Sequence, residues 1–404
     1  MSRQTERYSL VVYGATGFTG KHVVNQIAGE IDVMRREVGA KFSWAIAGRN
    51  STVLNRMAAD LGGRLGEENH PGVVVADIKD QIGLQKMAEG AHLVMSCVGP
   101  YAFMGEPVVK AVLAANDALQ KHGDSQPCDY IDLAGEPAWI EEMCLRYGDR
   151  ATRLGCSIIH SAAFDSVPSD IGVLEAKKAL IRKSAIPTSV EVFVRLKGSY
   201  KEGMGIHYAT YEAAINGFST RLYLLPFFFA DPSIIRLSQS LQAHLNQDVP
   251  PVVFSVWLAI PSLTVLLFAL VALTIFGILA NFSLGRALLL RYPRIFSLGM
   301  VSHQGPTQAQ LDASSFATTL VARGYSAEAV KSGSGPDTRA VVRVRGPEIG
   351  YVSTPLLFVT VARTMLKQRE KIVAGVLTPA AALGQTSLVD ELNRGGKVRF
   401  ANIE

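Results

Sequence analysis

Short β-branched runs alternate with amphipathic stretches from residue 8 to about residue 180, and a glycine-rich turn follows the first run. These two observations predict an α/β chain built on a doubly wound, parallel Rossmann sheet. A third observation, 31 consecutive residues without a charge from Val252 to Phe282, predicts a second α+β domain that carries an apolar membrane insert. At 404 residues the chain exceeds one typical domain, which agrees with two separate cores.

The first domain is expected to hold strands at Tyr8–Tyr13, Phe42–Ala47, Val73–Ala76, Leu93–Cys97, Tyr130–Leu133 and Ser157–Ile159. Helical patterns near Thr19–Ala28, Thr52–Leu61, Gln81–Ala88, Glu106–Ala115 and Ala138–Leu154 separate them. Continuously apolar strands joined by amphipathic helices imply a sheet covered on both faces, with a ligand crevice at the carboxyl ends of the strands. The turn Gly14-Ala15-Thr16-Gly17-Phe18-Thr19-Gly20 sits where such a crevice binds a dinucleotide. Gly14 permits the sharp exit from the strand, and Gly17 lets backbone N–H groups approach a pyrophosphate at a helix N-terminus. Gly20 lets helix and sheet touch. The spacing is GxxGxxG and departs from the usual GxGxxG at Thr16.

The second strand ends Ala45-Ile46-Ala47-Gly48-Arg49. It offers no carboxylate for ribose hydroxyls, and its guanidinium suits a 2′-phosphate, so NADP(H) is the expected cofactor. The alternative for Arg49 is a solvated residue capping the next helix. Asp77, after the third strand, either approaches the adenine or caps the helix that follows.

Six blocks repeat a known pattern: Tyr13–Gly20 (YGATGFTG), Ala47–Arg49 (AGR), Cys97–Tyr101 (CVGPY), Tyr130–Glu136 (YIDLAGE), Phe164–Asp170 (FDSVPSD) and Gly375–Gly384 (GVLTPAAALG). In this order, over nearly the whole chain, the sequence resembles the saccharopine dehydrogenase-like oxidoreductases. The branch it resembles is membrane- or lipid-droplet-associated and related to bacterial trans-acting enoyl reductases. The resemblance implies a Rossmann domain over residues 1–185 and a second α+β domain over 186–370, with the insert at about 252–282. It also implies that residues 371–404 return to the first domain. The chain departs from the family at Ala162-Ala163, where a glycine-containing pair is usual, and at Gly203-Met204-Gly205-Ile206-His207, where a glycine-threonine turn is usual. Resemblance to true saccharopine reductases is confined to the cofactor half, so saccharopine is not implied as substrate.

Composition narrows the function further. The formal charge of +5 is modest and the basic residues are scattered, which argues against a nucleic-acid partner. The four cysteines, Cys97, Cys128, Cys144 and Cys156, form no CxxC pair and no metal-like spacing with histidine; reduced thiols and no metal are expected. The N-terminus MSRQTERYSL lacks the apolar stretch of a cleaved signal peptide. None of the twelve tyrosines has a lysine four positions later, which disfavours short-chain dehydrogenase chemistry, and no GxSxG or HExxH motif occurs.

Candidate chemistry therefore falls on the loops after strands four to six. In Val98-Gly99-Pro100-Tyr101, Gly99 and Pro100 pass the chain beneath a nicotinamide ring, and Tyr101 lines the pocket, donates a proton or packs. Gly135-Glu136 and Phe164-Asp165-Ser166 converge on the same crevice. Asp165 and Ser166 either contact cofactor or substrate or cap the next helix. No catalytic residue is assigned; Tyr101, Asp165 and Ser166 are the candidates. Cys97, His160 and His207 read as structural.

Nineteen of the 31 insert residues are Val, Leu, Ile or Phe, and the length exceeds the ~20 residues of a membrane span. Pro250-Pro251 precede the insert and Arg286, Arg291 and Arg294 follow it. Because the chain must return to the first domain, a re-entrant hairpin bending near Pro261 or Gly277, or an in-plane anchor, is expected rather than a single span. Leu222–Ala230 is a second apolar, aromatic stretch. Strands at Val190–Leu196 and Ala340–Arg345, helices at Tyr208–Gly217 and Pro355–Lys367, and a hairpin tip at Lys331–Pro336 complete the second domain.

Two functions compete. One is an NADP(H)-dependent oxidoreductase acting on a lipid or other apolar substrate at a membrane or lipid-droplet surface, in lipid or glycolipid metabolism. The other is a non-catalytic NADP(H)-binding sensor or scaffold at lipid surfaces. The expected location is intracellular, at a lipid droplet, the endoplasmic reticulum or a mitochondrial membrane. The expected partners are that surface, an apolar small molecule and, in a homo-oligomer, a second copy of the chain.

Overall fold

The computed structural model describes residues 7–124, 126–198, 223–227, 229–260, 262–296 and 306–404. The first six strands are β1 (Leu10–Tyr13), β2 (Trp44–Gly48), β3 (Gly72–Val75), β4 (Leu93–Ser96), β5 (Asp129–Asp132) and β6 (Ser157–Ile159), each within two residues of its expected run. Further along come β7 (Ile186–Lys197), β8 (Tyr223–Pro226), β9 (Val253–Ile260), β10 (Ser315–Tyr325), β11 (Thr338–Pro347), β12 (Gly375–Leu377) and β13 (Arg399–Asn402).

The first sheet is parallel throughout, in the order β12-β6-β5-β4-β1-β2-β3. Strand order reverses between β1 and β4, so the crossovers leave on opposite faces there and open a crevice. Every residue of β1, β2, β4, β5 and β6 is buried, as a sheet covered on both faces requires. The covering helices are α1 (Phe18–Gly29), α2 (Ile31–Val38), α3 (Ser51–Leu65), α4 (Gln81–Glu89), α5 (Tyr101–Lys121), α6 (Pro137–Arg153) and α7 (Val167–Arg182). α2 is an addition to the expected set; it buries only Ile31 and Met34, too short a stripe to read as periodicity. α5 begins five residues before its expected start at Glu106. It does so because the Glu136 carboxylate accepts from the N–H groups of Tyr101 and Ala102, at 2.8 and 2.5 Å, supplying the cap those first residues lack.

The second sheet runs β13-β11-β10-β7-β9-β8. Val190, Val192 and Val194 of β7 face its core, while Glu191, Phe193 and Arg195 alternate onto the opposite face. α7 packs on the core side, against β7, β10 and β11. The expected hairpin tip Lys331–Pro336 does join β10 to β11, but it begins inside a short helix, Ala327–Ser332, which Gly333 ends in the left-handed conformation (φ 67°). The C-terminal segment divides: β12 pairs with β6 in the first sheet, whereas β13 pairs with β11 in the second.

The insert is not one apolar unit. Its first part is β9, paired parallel with β7 and antiparallel with β8. A strand apolar on both faces has the composition of a membrane segment, and that is why the two were not separated. The remainder is the helix Leu263–Ala280, of which no residue is buried. Its 18 residues are about 27 Å long, close to the thickness of a bilayer's hydrocarbon core. Gly277 lies inside this helix; the bend comes at Asn281–Phe282, before a second helix, Ser283–Arg291. The turn is tight: a Cβ on Gly285 would lie 2.0 Å from the Leu279 carbonyl oxygen. A second apolar helix, Thr354–Lys367, begins one residue before its expected start at Pro355 and is a core helix, packed on α1 and α2 with Phe358 and Val359 fully buried. Gly203–His207, Tyr208–Gly217, Leu222, Phe228, Pro261 and the Arg294 side chain lie outside the described residues.

Candidate functional site

The glycine turn leaves β1 and enters α1 at the switch point. Gly14 adopts φ +85°, and a Cβ there would lie 2.7 Å from Val98 Cγ2. A Cβ on Gly20 would lie 2.1 Å from the Gly14 carbonyl oxygen. Gly14 is thus demanded by its positive φ and the chain leaving β4, and Gly20 by the close approach of α1 to the turn. Gly17 is different: it is exposed, its backbone is extended (φ −67°, ψ 167°), and it caps α1 without any side-chain hydrogen bond. No side chain of the cap residue competes for the first N–H groups of α1, and a pyrophosphate suits that positive helix end.

Arg49 is exposed after β2. It does not cap α3: Asn50 does, its Oδ1 accepting from Val53 N–H at 3.1 Å. Likewise Asp80 caps α4, whereas Asp77 accepts from Lys79 N–H at 2.9 Å in a local turn. Both capping alternatives fall. Arg49 and Asp77 meet electrostatically at Tyr13, whose hydroxyl burial pushes up to about 12, with Asp77 raising it further and Arg49 opposing. The two side chains therefore flank one end of β1, where the adenosine half of a dinucleotide lies.

Beyond the pyrophosphate position is a cleft of about 310 Å³, lined among others by Thr19, Gly99, Phe164, Asp165, Tyr351 and Thr354. Tyr351 and Thr354 arrive from the far side of the sequence, on a π-helical turn, Ile349–Ser353, and the helix after it. The Glu348 carboxylate builds that turn by accepting from Gly350, Tyr351 and Val352 N–H at 2.7, 2.6 and 3.2 Å. Tyr351 then closes on α1: its ring lies 4.8 Å from Phe18 and 5.3 Å from His22. No local signal in the sequence places residue 351 here.

The three candidate catalytic residues part company. The Tyr101 hydroxyl donates to Ser96 O at 2.9 Å and accepts from Leu133 N–H at 3.2 Å, with its ring 5.6 Å from Trp139. The hydroxyl is thus bonded to buried backbone and braces β4 against β5, while Tyr101 also lines the cleft, as one of its expected roles had it. Ser166 is fully buried, donates to the Asp165 carbonyl at 2.7 Å, and does not cap α7. Asp165 remains. Its side chain opens onto the cleft, hemmed in by protein, and burial followed by the nearby Asp132 carboxylate pushes it up to about 6. Gly135 admits it: a Cβ on that glycine would lie 3.3 Å from Asp165 Oδ2. The Cys97 thiol also lines the cleft, but burial and Asp132 push it up to about 12, away from thiolate chemistry.

Beneath the cleft lies a pair that sequence reasoning passed over. Asp132 Oδ2 is 2.6 Å from His160 Nδ1, both fully buried, while Asp132 Oδ1 accepts from Ala134 and Ser161 N–H at 3.0 and 3.1 Å. Register could have found it: Ile131 pairs with Ile159 across β5 and β6, so the next residues are neighbours. Asp170 joins two distant sequence blocks by accepting from Ala380 N–H at 2.8 Å, and burial pushes it up to about 7.

No protein-family model matches the chain. It is 34% identical over 443 residues to the rat "Saccharopine dehydrogenase-like oxidoreductase", covering 100% of this chain and 99% of the relative. It is 28% identical to a Caenorhabditis elegans "Lipid droplet localized protein", covering 96% of each. The solved saccharopine dehydrogenase (L-Glu forming) of Saccharomyces cerevisiae superposes with a TM-score of 0.54 over 98% of this chain and 99% of that one, at 12% identity, and so shares the fold. Full-length similarity at this level, with the glycine turn and crevice in place, makes the chain a member of the saccharopine dehydrogenase-like oxidoreductases.

Proposed function

We propose that this oxidoreductase uses NADP(H) on a lipid or other apolar substrate at the surface of an intracellular membrane or lipid droplet. The observation that carries the reading is the apolar helix Leu263–Ala280, none of whose residues is buried, leaving the same domain that walls the cofactor crevice. An apolar helix of 18 residues with none buried costs far too much in water to be left there without a lipid phase. β9 before the helix and β10 after it belong to one sheet, so both flanks lie on one side of the lipid surface, and the two helices dip in and return. The name of the nematode relative supports a droplet surface. Arg49, with no acid at the end of β2, supports the 2′-phosphate.

Bound in the crevice, the nicotinamide supplies or accepts the hydride. The chain's own residues position it: the α1 N-terminus holds phosphates, Gly99 and Pro100 floor the cleft, and Asp165 holds a proton at its carboxyl when the cleft is closed to water. The test is detergent-purified protein with NADPH and a fractionated lipid extract, followed by loss of reduced-nicotinamide absorbance. Consumption that requires both lipid and an intact Gly17 supports the reading. Binding of NADPH with no consumption by any fraction leaves the sensor or scaffold in its place.

A further inference from the structure

The face of the second sheet turned away from α7 carries a cavity of about 730 Å³. Four cations line it: Arg195 and Lys197 from β7, and Arg343 and Arg345 from β11. Among the described residues no carboxylate lines the cavity and none of the four forms an ion pair; the one recorded bond is Arg343 Nε to Thr319 Oγ1 at 3.3 Å. Pairing sets their spacing. Arg195 and Arg345 both lie opposite Ala317 of β10, so their backbones are two strands, about 10 Å, apart, and Arg343 is two residues, about 7 Å, along β11. Long guanidiniums on such a triangle converge on one anion, and Ala317 between them leaves room for it.

The rest of the lining is mostly apolar, with Phe193, Leu224 and Ala259 beside the hydroxyls of Ser315 and Thr319. One direction leads out along this face. Leu224 and Ala259 lie on β8 and β9 next to the exposed helix Leu263–Ala280. At the other end Phe316 turns its ring through to the α7 side of the sheet, where it is buried edge-on to Phe164, 4.8 Å between centroids.

The geometry points to a binding site for an acidic-headed amphiphile, its head on Arg195, Arg343 and Arg345 and its acyl chain along Phe193, Leu224 and Ala259 toward the lipid-facing helix. This deepens the lipid-substrate reading above and rests on it. The shared chemistry, an anionic head, also belongs to free phosphate, and the test separates the two.

Trp257 sits across from Phe193 on the same face, whereas Trp44 and Trp139 are buried in the first domain, so tryptophan fluorescence reports this site. Full-length protein in non-ionic detergent is titrated with dihexanoyl phosphatidic acid, dihexanoyl phosphatidylcholine and inorganic phosphate, and separately with NADPH. Phosphatidic acid is expected to bind at least tenfold tighter than either comparator. The double variant Arg195→Gln, Arg345→Gln should weaken it about thirtyfold or more and leave NADPH binding unchanged; both positions are exposed, and an unchanged unfolding temperature checks that the variant folds. Arg195→Lys, Arg345→Lys should recover part of the loss, since charge returns without the planar fork. Equal binding of the two lipids, or a double variant that binds phosphatidic acid like the wild type, overturns the site. Phosphate binding as tightly as phosphatidic acid overturns the amphiphile. Loss of NADPH binding with phosphatidic acid binding intact sinks the cofactor reading alone.

Discussion

Two glycines of one turn should fail in opposite ways when replaced by alanine. At Gly20 the new Cβ would sit 2.1 Å from Gly14 O, 2.9 Å from Gly14 C and 3.1 Å from Ala15 C. All three are backbone atoms of the turn itself, so α1 must lift from β1 by about an ångström. Overpacking of this kind costs about 1–3 kcal/mol or more. At Gly17 the nearest atom is Gly14 O at 3.2 Å, the backbone is in a region any residue adopts, and the position is exposed. Gly17→Ala should therefore keep the unfolding temperature, or raise it slightly through the unfolded chain. It should weaken NADPH, because the methyl group stands where the pyrophosphate meets the N–H groups. Loss of one charge-assisted hydrogen bond is about 1.5–3 kcal/mol, about 10- to 150-fold in affinity. Differential scanning fluorimetry of the cofactor-free variants and a nicotinamide-fluorescence titration read the two effects separately. NADPH binding by Gly17→Ala equal to wild type, or a Gly20→Ala protein as stable as wild type, refutes the assignment of roles within the turn.

Arg49→Ala should weaken NADPH about tenfold or more and spare NADH; equal loss for both cofactors, by the same titration, removes Arg49 from the 2′-phosphate. Asp165, raised to about 6, donates a proton only below that value, so turnover should fall as pH rises through about 6, and Asp165→Asn should abolish that limb of the pH–rate profile. Asp170 is raised from 3.8 to about 7 by burial, so the fold holds its proton more tightly than the unfolded chain does. Its contribution to stability is complete below about 3.8 and is lost as pH rises through about 7; the span of 7 − 3.8 = 3.2 sets an upper bound of about 4 kcal/mol. Asp170→Asn should flatten denaturant-measured stability across that window. Replacing Leu263–Arg291 with a Gly/Ser bridge should move the protein to the soluble fraction with NADPH binding kept; the cut must spare β9, since a deletion from Val252 removes a strand paired on both sides. Protease sites near Asp248 and Thr307 of the intact protein should be cut from the same side of a vesicle.

The first sheet was legible because its strands are apolar on both faces and its turn residues are local. Gly14 and Gly20 announce a close approach, and neighbouring positions in the chain suffice to see it. β9 was not legible: a strand apolar on both faces and a helix meant for lipid share one composition, and only pairing partners distant in sequence tell them apart. The hydrogen-bond partners of Tyr101 and Ser166 were not legible for a related reason. Being next to a crevice is a property of the backbone, but the direction of a hydroxyl is decided by what the neighbouring strands leave unsatisfied, here Ser96 O and Leu133 N–H for Tyr101. Tyr351 was invisible because a wall built from residues more than 300 positions away leaves no periodicity at either end.

β12 completes the first sheet beside β6, and this fixes an order of events at the ribosome. When the helix Leu263–Ala280 emerges, the edge of β6 still lacks the strand that will pair with it, and about 100 further residues must be made first. At about 5–20 residues per second, that is a delay of several seconds or more. During it, the lipid-seeking helix and an open strand edge are exposed together. Early engagement of the helix by a membrane would hold the nascent chain at a surface while the edge waits, where like chains are dilute and edge-to-edge pairing is least frequent. A chain stopped after residue 185 would keep that open edge permanently and should aggregate rather than behave as a free-standing cofactor-binding module.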